Sequence, residues 1–168
     1  SLYEIVAFES NQIKLADGTN ITFDGSNPDI RFEAGGQLPS VCNKLYKDHH
    51  EVWDQMDEIE KNLSANTASK YAGEILRLAD SELLSHFYEE EKELFPGILT
   101  VTNKKDIEEL ILQHKQLVEL IDTIQDHKRH SDILLFCKQI KEHIKKEESL
   151  MSAVTPDPFK KPSKKKLP

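Results

Sequence analysis

Two histidines stand at the same place in the same apolar pattern, and that repeat limits the fold more than any other feature of the chain. In "LYKDHHEVWDQMDEI", His49 has Leu45 at −4 and Val52, Met56 and Ile59 at +3, +7 and +10. In "LILQHKQLVELIDTI", His114 has Leu110 at −4 and Leu117, Ile121 and Ile124 at those same offsets. All of these offsets fall on one face of a helix with 3.6 residues per turn. Each histidine therefore belongs to the stripe that a helix buries.

Two further segments match each other in the same way. His86 has Leu76, Leu83, Phe87 and Leu94 at −10, −3, +1 and +8, and His143 has Ile133, Ile140, Ile144 and Met151 there. A glutamate pair follows each, Glu90 and Glu91 after His86, Glu147 and Glu148 after His143. The +4 member lies one turn along on the face of its histidine. The chain thus reads as two similar halves, each supplying one histidine and then one HxxxE pair.

Four imidazoles and two carboxylates on buried stripes pose an energetic problem. An ionised carboxylate without compensation in an apolar interior costs several kcal/mol. A lone core histidine is usually a satisfied structural residue, and one HxxxE on a charged helix is usually a surface pair. Two such pairs in matched register, with two further in-phase histidines, point instead to a dinuclear metal centre held by His49, His86, Glu90, His114, His143 and Glu147. Carboxylates bridge cations, and helical bundles use this kind of spacing from facing helices. Mixed imidazole and carboxylate donors suit iron better than a structural zinc site, which is closed and sulfur-rich. His50 is one residue out of phase and reads as a surface or outer-layer group. His127 and His130 read as solvated loop residues, Glu91 and Glu148 as outer or surface groups rather than bridges, and Glu89 and Glu93 as wet-face charge. Tyr46 and Tyr88 read as packing residues.

The frame for these stripes is an all-α domain over residues 40–154. Apolar periodicity predicts helices near 40–63, 67–94, 104–126 and 131–152, separated by "SANTAS", "FPGILTVTN" and "QDHKRHSD". Pro96 and Gly97 read as breakers, and Ser131 or Asp132 as the cap of the last helix. Connections this short favour an up-down-up-down four-helix bundle. Residues 1–39 read as a small β-hairpin-like appendage followed by irregular chain, with a break at Gly35, Gly36 and Pro39. The stretch "IKLADGTNITFDGSNPDIRF" also resembles tails near domain ends of large multidomain proteins from phages and mobile elements, which implies that the chain is a piece of something longer. Residues 155–168, "TPDPFKKPSKKKLP", read as a disordered Lys/Pro-rich tail.

Composition narrows the partners. The net charge of −8 argues against nucleic acid, and no apolar run is long enough to span a membrane. Two cysteines, Cys42 and Cys137, form no CxxC pair, and no secretory signal is visible, so a cytoplasmic setting is expected.

The segments "LYKDHHEVWDQM", "HFYEEEKELFP", "LILQHKQLVELI" and "HIKKEESLM" together resemble the hemerythrin-like, HHE-type cation-binding domains. "EEKELFP" matches the EExxLFP that commonly closes the second helix there. The resemblance implies two non-haem irons, oxo- or hydroxo-bridged, with Glu90 and Glu147 as the bridges. Which histidines share an iron stays open at this level. The chain departs from the oxygen-carrying members, which place another histidine where Val118 stands and an aspartate five residues after the last histidine, where this chain uses Glu147 at four. A missing histidine leaves one iron less saturated, with room for a small diatomic ligand or peroxide. The resemblance therefore implies binding or sensing of O2, NO, peroxide or iron. The alternatives are a di-iron enzyme or an iron-centre repair factor acting under NO or peroxide stress, although the paired cysteines of the repair proteins are absent. A third reading is an interaction protein that merely retains the bundle.

Overall fold

The computed structural model describes residues 28–99 and 102–160, with side chains from Leu38 onward, together with three short strands ahead of them. The strands β1 (Ile5–Val6), β2 (Gln12–Lys14) and β3 (Asn20–Thr22) pair antiparallel in that order. Ile13 pairs with Ile5 on one side and Ile21 on the other. The turns read in "ADGTN" and "DGSN", and with them most of the expected hairpin appendage, lie outside the described residues.

Four helical runs follow: α1 (Pro28–Asn62), α2 (residues 68–98), α3 (Lys104–His127) and α4 (His130–Met151). Two apolar clusters fix their directions. One joins the part of α1 where the bundle begins (Leu38, Cys42, Leu45, Tyr46), the end of α2 (Leu94, Phe95, Ile98), the start of α3 (Ile107, Leu110, Ile111) and the end of α4 (Met151). The other joins Val52, Met56 and Ile59 of α1 to Tyr71, Ile75 and Leu83 of α2, Leu117 and Ile124 of α3, and Ile133 and Ile140 of α4. Starts meet ends in both clusters, so neighbouring helices run antiparallel. Burying each large side chain contributes about 1.5–3 kcal/mol, and the two clusters leave a layer between them where the histidines sit.

The helix ends depart from expectation in instructive ways. α1 begins at Pro28 rather than near 40, and Pro39 lies inside it. A proline is well placed at a helix start, whereas an interior one forfeits a hydrogen bond. Leu38 and Cys42, buried beside Pro39 in the first cluster, offset that loss. α2 runs past Pro96 and Gly97 to Ile98 because its ladder has already slipped. Residues Glu90–Leu94 form a π-turn in which the Phe95 N–H bonds the Glu90 carbonyl, five residues back. A second π-turn, Ala79–Leu83, lies one turn before His86.

Ser131 and Asp132 do not cap α4. Arg129 takes that position, and the Asp132 carboxylate accepts from its Nε at 2.8 Å. His127 and His130 are helix-end residues, both exposed. α3 starts on Asn103, whose side chain accepts the Asp106 N–H at 2.8 Å. Asn103→Ala is expected to lower stability by about 1 kcal/mol in chemical denaturation.

The first residues of the tail make contacts with α1. Thr155, Asp157 and Phe159 lie against it. The buried Tyr46 hydroxyl donates to the Thr155 carbonyl at 2.9 Å, and the His50 Nε2 lies 2.7 Å from the Asp157 carboxylate. A buried hydroxyl requires an acceptor, and the backbone of this segment provides it. Residues 161–168, with Lys161 and Lys164 to Lys166, lie outside the described residues. No helix among the described residues is long and apolar enough to cross a membrane.

Candidate metal centre

The layer between the two clusters is polar. His49 of α1, His86 and Glu90 of α2, His114 of α3, and His143 and Glu147 of α4 are all buried, the two glutamates completely. All six residues singled out by the repeat therefore meet at one place. They form two groups, His49, His86, Glu90, Glu147 and Glu90, His114, His143, Glu147, in each of which the candidate ligand atoms lie within 4.8 Å of one another.

Both carboxylates extend from one histidine pair to the other. Glu90 Oε2 is 2.7 Å from His86 Nε2, and Glu90 Oε1 is 2.7 Å from His114 Nε2. Glu147 Oε1 is 3.3 Å from His49 Nε2, and its Oε2 is 3.1 Å from His143 Nε2. The imidazoles pair as well: the Nε2 atoms of His49 and His86 are 3.2 Å apart, those of His114 and His143 3.1 Å.

Every Nδ1 is turned outward onto an acceptor on a neighbouring helix. His49 meets Glu148 at 3.0 Å, His86 meets Asp48 at 3.3 Å, His114 meets Glu91 at 2.7 Å and His143 meets Gln113 at 2.8 Å. With Nδ1 bearing the proton, each Nε2 presents its lone pair inward, the arrangement found in histidine metal ligands. Glu91 and Glu148 thus act behind the imidazoles, as expected of them, whereas Asp48 and Gln113 were missed. They sit one residue before His49 and His114, a position that looks like solvent face until the neighbouring helix is in place. The shared −1 offset in the two halves is the signal that marks them.

The π-turn explains why consecutive glutamates both face inward. Glu90 and Glu91 are buried together because the five-residue hydrogen bond adds a residue to that turn. Phe87 stacks on His114 with centroids 4.2 Å apart, and Phe95 lies near-parallel to the same ring at 5.7 Å. Solvent approaches the opposite pair: cavities of about 280 and 220 Å³ are lined by His49 with Trp53 and Lys145, and by His86 with Asp48 and Lys44. Lys44 also pairs with Glu89 at the edge of the second cavity. Glu93 is exposed, and so is Tyr88, which does not pack in the core.

In the metal-free protein, protons on the imidazoles offset part of the carboxylate charge. Burial pushes His49 down, but Glu147, Glu148 and Glu90 reverse this and raise its pKa well above the ordinary value. Burial likewise lowers His86 and His114, and the carboxylates around them (Glu90 and Asp48, and Glu90 and Glu91) bring both up to about 9. Burial raises the Glu90 carboxyl, while the His86 charge and hydrogen bonds from the surrounding groups hold it well below the usual range.

Protons do not complete the balance. Neither oxygen of Glu147 has a hydrogen-bond partner, although both are buried and lie close to imidazole nitrogens. A buried carboxylate that faces imidazoles without a formed hydrogen bond is costly, and a cation between Glu147 and the facing Nε2 atoms offsets that cost. The donor set of imidazole nitrogens and carboxylate oxygens fits a transition-metal ion.

A helical bundle with a buried His/Glu cluster able to hold metal defines a class of cation-binding domains. The family model for the Hemerythrin HHE cation binding domain matches residues 40–154, and the chain belongs to that family. Membership implies metal binding, typically of iron. Comparison with curated proteins and with solved structures returned no match.

Proposed function

We propose that the domain binds two non-haem iron ions, His49 and His86 on one, His114 and His143 on the other, with Glu90 and Glu147 shared between them. The observation that carries this reading is the pair of overlapping donor groups having both glutamates in common. The Glu147 oxygens, buried and without a formed hydrogen bond, support it. Bound iron supplies a change of oxidation state and a coordination position for an exogenous ligand. The chain's own residues do the rest. Glu148, Asp48, Glu91 and Gln113 hold the imidazoles in one tautomer, and Phe87 and Phe95 keep the His114 side dry.

The ligand class that fits is a small diatomic molecule or peroxide, and the role is binding or sensing. Val118, half-buried where oxygen carriers place a further histidine, leaves the donor set short of saturation. The cavities beside His49 and His86 suit a small molecule. A reducing, cytoplasmic setting agrees with two buried free thiols, Cys42 and Cys137, which burial pushes up to about 11 and 12.

Metal analysis with optical spectra tests the proposal. Protein reconstituted anaerobically with Fe(II) is expected to hold about two irons per chain, matching the two donor groups, and its near-ultraviolet spectrum is expected to change on exposure to air or NO. Folded protein with no affinity for Fe(II) overturns it. Sustained turnover of peroxide or NO would instead make the domain an enzyme.

A further inference from the structure

The two halves of the bundle support their histidines by the same rule, with one difference in charge. The residue before the α1 or α3 histidine reaches the histidine of the next helix: Asp48 holds His86, and Gln113 holds His143. The residue five after the α2 or α4 histidine reaches back: Glu91 holds His114, and Glu148 holds His49. Three of these four partners are carboxylates, and the fourth is an amide.

Geometry does not account for the difference. The Gln113 contact, at 2.8 Å, is shorter than the 3.3 Å contact of its counterpart Asp48. The amide can act only through Oε1, because its NH2 would donate to Nδ1 and move the ring proton to the inward Nε2. What it lacks is charge. A hydrogen bond to a carboxylate is roughly twice as strong as one between neutral groups, and it makes the imidazole a better donor at its far nitrogen. His143 is therefore the imidazole with the least polarised support. Its ring partner His114 has the most, since Glu91 is both close and buried.

We infer that Gln113 is a positioning residue that makes the two metal positions unequal, by leaving His143 the weakest of the four imidazole donors. The inference rests on the dinuclear reading and concerns only the difference between its two positions. The carboxylates behind His49 and His86 are about a third exposed and partly screened by solvent, and the effect assigned to Gln113 falls on its own histidine and the cation that histidine holds.

Titration of the metal-free full chain with Co(II) tests it. The wild type is expected to take up two ions in two resolved steps. Gln113→Glu tightens one step by about tenfold, and Gln113→Leu weakens that same step by about 10–100-fold. Asp48→Asn, which gives the other half the same neutral support, weakens the other step. In proton spectra of the Co(II)-loaded protein, Gln113→Glu is expected to shift the exchangeable ring N–H of one histidine and leave the other three, which a merely structural residue would not do. Two-step uptake that Gln113 variants leave unmoved, or move equally in both steps, overturns the inference alone. Failure of the wild type to bind two ions removes the dinuclear reading and this inference with it.

Discussion

Replacing Glu90 by alanine is expected to abolish uptake of both cations rather than one. The two oxygens of this carboxylate face different histidine pairs, at 2.7 Å from His86 and 2.7 Å from His114, and Glu90 belongs to both donor groups. Removing an outer partner of a metal ligand costs about 10–100-fold in affinity, and Glu91→Ala, which removes the carboxylate on the His114 Nδ1, should show a loss of that size. Glu90→Ala should exceed it in both binding steps, leaving metal content near zero after desalting. Glu90→Gln separates charge from shape. It retains the volume but not the negative charge that His86 and His114 require, and metal content should fall nearly as far. The metal-free variant should also lose about 3–5 kcal/mol, the usual result of removing one partner of a buried ion pair. Urea denaturation of the metal-free proteins measures this directly. A Glu90→Gln protein that still holds two irons would show that the carboxylate does not join the two positions.

The six central residues were legible because two periodicities coincide on them. Apolar residues at helical spacing define a buried stripe, and a polar residue in phase with it must enter the interior. That logic needs no knowledge of which helices are neighbours, so His49, His86, His114 and His143 were found together with Glu90 and Glu147. It fails where a contact depends on a neighbouring helix. Asp48 and Gln113 look like solvent-facing residues in their own helices, and only the adjacent α2 and α4 give them a role. It also fails where hydrogen bonding changes the period. The π-turn at Glu90–Leu94 takes α2 past Pro96, which a regular 3.6-residue helix does not predict. The start of α1 was misplaced for a related reason, since Gly35, Gly36 and Pro39 are breakers by local preference while burial around Leu38 overrides them. In the tail, proline and lysine content points to disorder and carries no trace of the buried Tyr46 hydroxyl, whose need for an acceptor sets Thr155 beside α1.

Chelation should destabilise the domain, and the penalty should grow as pH rises. In the metal-free protein the centre is held partly by imidazolium–carboxylate pairs, with His86 and His114 raised from an ordinary 6.5 to about 9. A group whose pKa is higher folded than unfolded adds stability that is complete below its unfolded value and disappears as pH passes its folded value. The contribution is therefore full below pH 6.5 and is lost progressively up to about pH 9. Each unit of such a shift corresponds to about 1.4 kcal/mol, so two buried histidines together account for several kcal/mol. The metal-loaded protein should behave in the opposite sense, because a cation displaces the Nε2 protons and its affinity rises as they leave. A ligand present at about 1,000 times its Kd adds about 4 kcal/mol to the folded state, and that term increases over the range in which the metal-free protein weakens. The gap in Tm between loaded and chelated protein is accordingly expected to be small near pH 6, where protons substitute for cations, and to widen steadily toward pH 9. Paired thermal melts at constant ionic strength and excess metal or chelator measure it. A gap that stays constant or narrows across this range would show that the imidazoles of the metal-free centre are already neutral, and that protons do not stand in for the missing cations.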